Sequence, residues 1–169
     1  MNLDRLSALS DDARLWIYPA ERPLSPSEQT ELRDVLDRFC MGWASHGRPV
    51  RGAAEVLYDR FLVIAAEIPG GDISGCGIDA SSEIVRKTGQ GLGIEWLSSL
   101  VVFYRDGDGV RALPRPAFRG LVRDGSVSGR TPVFDLGIGT LGELRAGRFE
   151  RPASETWHAR VFGLQEAAA

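Results

Sequence analysis

The chain has 169 residues, of which 43% are hydrophobic and 25% charged, and it carries a net charge of −3. Lys87 is the single lysine among 20 basic residues, and it excludes a phosphate-binding loop. Such a loop needs G-x-x-x-x-G-K-[ST], and Arg86 and Ser81 occupy the two glycine positions ahead of Lys87-Thr88. The acidic balance gives no footprint for nucleic acid, and no apolar run approaches the roughly 18–20 residues of a membrane span.

Residues 1–12 read as a polar leader. Ala13 to Tyr18 is a short apolar run that predicts a buried strand, ended by Pro19. Ser25-Pro26-Ser27-Glu28 is a helix start: the serine hydroxyl accepts from the third helical N–H, the glutamate reaches back, and proline sits where its missing N–H costs nothing. Leu32, Val35, Leu36, Phe39, Cys40 and Trp43 follow at helical spacing, and Gly47 is the expected stop. Arg51–Tyr58 and Arg60–Ile68 predict two strands joined by a tight antiparallel turn. The second is apolar almost throughout, as a strand buried on both faces would be. A glycine-rich loop then leads to Asp79, the expected N-cap of a helix over about Ala80–Gln90. Ser98–Arg105 predicts a fourth strand, and Asp106-Gly107-Asp108-Gly109 a hairpin turn into Val110–Leu113.

This succession is the βαββαβ order of ferredoxin-like folds. Beyond it the chain predicts a helix over Pro116–Arg123, a strand over Thr131–Leu136 and a small helix between Thr140 and Gly147. An irregular segment, Phe149–Phe162, follows, anchored by Trp157 and Phe162. The reading is therefore a single α+β domain over 13–162. Its ferredoxin-like core covers about 13–113, a helical and irregular C-terminal extension about 114–162, and a tail 163–169. No signal peptide and no disulfide framework is legible, so a cytoplasmic, reduced protein is expected.

Several pieces carry a resemblance: Leu15-Trp16-Ile17-Tyr18, Phe39 with Trp43 to Gly47, Ser74 to Asp79, Thr131 to Asp135, and Ser154 to Arg160. Across residues 13 to 162 they resemble a family of small uncharacterised proteins of the Bacteroidetes and their relatives, often labelled "ABC transporter ATPase". The resemblance implies a bacterial protein and no catalytic residues. The label does not fit this chain, which has neither a Walker A loop nor an LSGGQ-like signature.

The chemistry on offer centres on Cys76, in Gly75-Cys76-Gly77 ahead of a predicted helix. A helix N-terminus lowers a thiol pKa, and flanking glycines let a ligand approach. Gly75, Cys76 and Gly77 are the ligand-binding candidates. The bland alternative is a small apolar residue packed in a tight turn. His46 and His158 are the candidate bases, and Asp79 or Glu67 the candidate orienters. Each has a structural reading: a helix end for His46, a buried hydrogen bond for His158, a cap for Asp79 and a solvated strand end for Glu67. No metal spacing such as C-x-x-C is present, and no cofactor is expected. The leading expectation is a non-catalytic domain that binds a partner or small ligand, with a homodimer as one arrangement. The alternative is a thiol-dependent enzyme or redox sensor using Cys76.

Overall fold

Strand β1 (Arg14–Pro19) pairs antiparallel with β5 (Phe61–Glu67), which pairs antiparallel with β4 (Arg51–Leu57). The computed structural model describes residues 2–164. Within them the chain divides into two compact units, one comprising residues 2–97 with 139–142 and the other 98–138 with 143–164. No change of composition marks the step from Leu97 to Ser98. The boundary expected near residue 113 lies inside the second unit. The tail expected over 163–169 lies, from residue 165 onward, outside the described residues.

The first unit is a three-stranded sheet in the order β1-β5-β4, and β5 is buried from Phe61 to Ala66. Period-2 alternation sends Leu62, Ile64 and Ala66 to one face. There they pack with Ala54 and Val56 of β4, with Leu32 and Leu36 of α1 (Pro26–Gly42) and with Val85 of α2 (Gly75–Leu92). The capping box at Ser25 is formed: Glu28 N–H donates to Ser25 Oγ, and Ser25 N–H donates to Glu28 Oε2 at 2.7 Å. The β4–β5 turn places Tyr58 and Asp59, both at φ 53°, in the left-handed region without a glycine. Gln29, buried on α1, braces that turn by donating to Asp59 Oδ1 at 3.0 Å. Within the polar leader Leu6 and Leu9 are buried, and Arg5 Nε donates to Ala54 O on the edge strand.

Three helix boundaries differ from expectation. α1 stops at Gly42, and residues 44–49 form a two-stranded ribbon, β2 (Ala44–Ser45) with β3 (Arg48–Pro49), turning at His46-Gly47. Trp43 is extended there because its indole is drawn into the core, where Nε1 donates to Gly77 O. α2 begins five residues earlier than predicted, capped by Ser74 and not by Asp79. It also runs through Gly89 and Gly91 to a left-handed Gly93. Gly89 is tolerated because Trp96 lies against it: a Cβ there would stand 2.3 Å from Trp96 Nε1.

The four-stranded ferredoxin-like sheet is not assembled as predicted. The predicted fourth strand, β6 (Val101–Asp106), pairs in the second unit. Beside β1 lie two short segments instead. At one end Glu21 N–H donates to Glu95 O, Leu97 N–H donates to Pro19 O, and Ala20 and Trp96 bridge. At the other end Leu15 N–H donates to Gly139 O, Leu141 N–H donates to Ala13 O, and Arg14 and Thr140 bridge. Both run antiparallel to β1, and Trp16–Tyr18 lie between them.

The second unit is a four-stranded antiparallel sheet in the order β7-β6-β8-β9, with β7 Gly109–Pro114, β8 Pro132–Phe134 and β9 Glu150–Pro152. The β6–β7 hairpin turns at Gly107 as its sequence predicts. Val102, Tyr104 and Val133 form a core with Phe118 of α3 (Arg115–Arg123) and Phe162 of α5 (Trp157–Phe162). Helix α4 (Leu141–Arg145) carries the chain across the division. The segment 149–162, expected to be irregular, is instead strand, 3-10 turn and helix in succession. No helix of the described residues is long and apolar enough to cross a membrane.

Candidate functional site

Cys76 is exposed in the first turn of α2. Its neighbourhood is built by serines: Ser74 N–H donates to Ser45 Oγ at 2.9 Å, the two hydroxyls bond at 2.7 Å, and Gly77 N–H donates to Ser74 Oγ. Gly77 has a packing reason, since a Cβ there would lie 2.9 Å from the Ile73 side chain, whereas Gly75 faces open space. His46 is exposed at the turn of the β2–β3 ribbon and Asp79 is exposed on α2. Glu67 is committed elsewhere. Ser10 bonds it through both hydroxyl and backbone N–H, and Arg51 lies 3.1 Å away. The Ser10 hydroxyl is the main reason its carboxyl is held below the usual range. Among the described residues no hydrogen bond or ion pair joins Cys76 to His46, His158, Asp79 or Glu67. The expected thiol, base and orienter are therefore not brought together. Cys40, half-buried on α1, is the opposite kind of thiol, with burial pushing it up to about 11.

A cleft of about 470 Å³ in the first unit is charged but satisfied. Its arginines already have carboxylate partners, Arg14 with Asp72 at 3.2 Å and Arg51 with Glu67.

A smaller cleft in the second unit, about 190 Å³, is built differently. Val101, Phe134 and Leu136 give it apolar walls, and Trp157, Arg115 and His158 complete it with Ser99 and Gly137. Thr156 positions the two aromatic residues. It caps α5 by accepting from His158 N–H, and its hydroxyl donates to Ala153 O at 3.1 Å. The 3-10 turn beneath is pinned by Ala153 N–H to Thr131 O and Ser154 N–H to Gly129 O. The Trp157 and His158 rings stack at 3.7 Å between centroids. Arg115, the first residue of α3, lays its guanidinium 5.1 Å from the Trp157 centroid, and its Nη2 donates to Ser99 O.

His158 is 1% exposed. Its Nδ1 lies 2.8 Å from Thr156 Oγ1, and its Nε2 has no partner among the described residues. Burial lowers its pKa to about 4; the Asp135 carboxylate works against the shift and Arg115 adds to it. The ring is thus neutral at pH 7 and carries one N–H. Thr156 has one hydroxyl proton, given to Ala153 O, so its remaining lone pair accepts from Nδ1–H. That assigns the bare lone pair to Nε2. Arg115 Nε is likewise buried with no partner. Buried polar atoms in folded proteins are nearly always paired, so two orphans, an acceptor and a charged donor, on residues that line one cleft make it the best-defined binding geometry here.

His158 was among the sequence candidates, but its companions were not foreseen. Arg115 is one arginine of 19. The spacing of Thr156 to Gly163, cap to left-handed stop, is the signal that would have placed α5. No family model, no curated protein and no solved structure matches the chain.

Proposed function

We propose that this chain is a non-catalytic protein that binds a small ligand, and that the Arg115–Trp157–His158 cleft is the ligand seat. The observation that carries the reading is His158, 1% exposed and lining a cleft, whose acceptor Nε2 is buried and left without a partner among the described residues. Leaving such an atom unmet costs about 1–3 kcal/mol, which a ligand donor would recover. The test is a screen of ring-sized fragments by ligand-observed NMR against the protein and against Ser99→Trp. Ser99 is exposed at the cleft, so the indole closes it without disturbing a core. Fragments that bind the protein and lose binding in Ser99→Trp support the seat; fragments indifferent to the substitution refute it.

One observation favours a second reading, a redox sensor or thiol enzyme: Cys76 is exposed in the first turn of a helix of 18 residues. It requires Cys76 to react at neutral pH faster than a free thiol, and an ordinary rate ends it. We further propose a cytoplasmic, bacterial protein of the family it resembles. Its first unit would be a ferredoxin-like sheet whose fourth strand is reduced to the two segments beside β1. A homodimer is the proposed assembly, and gel filtration decides it.

A further inference from the structure

The unmatched groups of the cleft specify a ligand, a specification that rests on the cleft being the ligand seat. Size comes first. A cavity near 150 Å³ lined by apolar side chains is known to hold a benzene ring, and this cleft offers about 190 Å³. Polarity comes next: Val101, Phe134 and Leu136 supply an apolar side for the body of a ring. Charge is the third constraint. Arg115 has no carboxylate partner among the described residues, its Nη2 is tied to Ser99 O, and its Nε–H is unused. A guanidinium held by an aromatic face and one backbone bond is oriented before any ligand arrives. It calls for a carboxylate. Asp135, near enough to act on His158, disfavours a second negative charge on the same molecule. The fourth constraint is the lone pair on His158 Nε2, which accepts and cannot donate.

We propose that the cleft binds a single-ring aromatic monocarboxylate bearing a hydrogen-bond donor, with the carboxylate on Arg115 and the donor, a hydroxyl or ring N–H, on His158 Nε2. A plain aromatic acid leaves the imidazole lone pair unmet. A phenol leaves Arg115 unmet. Each is incomplete by one buried interaction, a deficit of about tenfold or more in affinity.

The probes are the three monohydroxybenzoates, with benzoate and phenol as the incomplete pair, titrated by calorimetry or ligand-observed NMR at pH 7.5. At least one hydroxybenzoate is expected to bind about tenfold or more tighter than both benzoate and phenol. Arg115→Met is expected to bring that isomer down to the level of phenol while leaving phenol unchanged. His158→Phe is expected to erase its advantage over benzoate. Benzoate binding as tightly as every hydroxybenzoate overturns the donor assignment, and phenol binding as tightly as all of them overturns the carboxylate. In either case ring binding that Ser99→Trp blocks keeps the seat, so the ligand class fails alone. If no ring of either charge binds at millimolar concentration, seat and ligand fall together. A folded Arg115→Met that keeps full hydroxybenzoate affinity also sinks the proposal, because the anion then has another partner.

Discussion

His158 sets a pH dependence whose sign and size follow from its surroundings. Its pKa is about 4 in the folded chain and 6.5 in the unfolded one, because burial penalises the imidazolium. Above pH 6.5 both states hold a neutral ring and no stability is lost. As pH falls below 6.5 the unfolded chain takes up the proton first, and folding is progressively disfavoured until the folded ring also protonates near pH 4. One pKa unit corresponds to about 1.4 kcal/mol, so the full loss is about 3 kcal/mol, of which about 2 kcal/mol has gone by pH 5. The acidic groups that are strongly held down, Glu28 and Glu83, both at about 2, lose their contribution chiefly below their usual 4.5, under the lower pH of the assay. The assay is urea unfolding at pH 7.5 and pH 5.0. It is read by hydrogen exchange of the peptide containing Trp157–Phe162, so that it reports the unit holding His158. His158→Gln removes the titration and is the control. The protein should lose about 2 kcal/mol more than His158→Gln between the two pH values. Equal losses would show that His158 is solvated or protonated in the folded chain, and the tautomer assigned to it would be abandoned.

Three other outcomes follow from the same geometry. Iodoacetamide at pH 7.5 should label exposed Cys76 and leave Cys40, pushed up to about 11, unlabelled until urea unfolds the first unit; mass spectrometry that finds both thiols labelled together contradicts this. Gly89→Ala should destabilise the first unit by about 1–2 kcal/mol, despite the roughly 1 kcal/mol that alanine normally gains over glycine in a helix. The new Cβ collides with Trp96 and breaks the Trp96 Nε1 to Val85 O bond, so in a Trp96→Phe background the cost should fall by half or more. Arg33→Ala removes the nearer of two arginines at the buried Glu55 carboxylate, 2.7 Å from Arg33 Nη2 and 4.0 Å from Arg5 Nε, and should cost about 2 kcal/mol in urea unfolding. Adding Glu55→Gln should restore most of that, and a double variant no more stable than Arg33→Ala would exclude the pair as the cause.

Where local signals agreed with long-range packing, the sequence was readable. The capping box at Ser25, the apolar run of β5 and the Gly107 turn each combine a local preference with a matching burial pattern, and each formed where expected. The failures have named causes. Asp79 is a good cap, but Ser74 wins because Ser45 on the neighbouring ribbon holds its backbone and hydroxyl. Glycine at 89 and 91 argues locally against a helix, yet Trp96 fills the groove that Gly89 leaves. The predicted fourth strand is a strand by every local measure, and only tertiary pairing decides which sheet takes it. The cleft was barely legible. Its elements come from residues 99–115, 134–137 and 157–158, none of which is a motif. The property that defines it, two nitrogens left unmatched, exists only once everything around them has been matched.

The two segments beside β1 also bear on how folding proceeds. Trp96 and Thr140 sit on one line along the strand, but they differ greatly in the loop that must close to bring them there. Thr140 is about 126 residues from its partner Arg14, whereas Trp96 is about 76 from Ala20. Once Trp96 is seated, the stretch still to be closed for Gly139 runs only from Leu97, about 42 residues. Shortening the loop threefold lowers its closure entropy by about 1 kcal/mol. The first half of the divided strand thus acts as a guide for the second. A variant that loosens Trp96 should slow the docking of Gly139–Leu141.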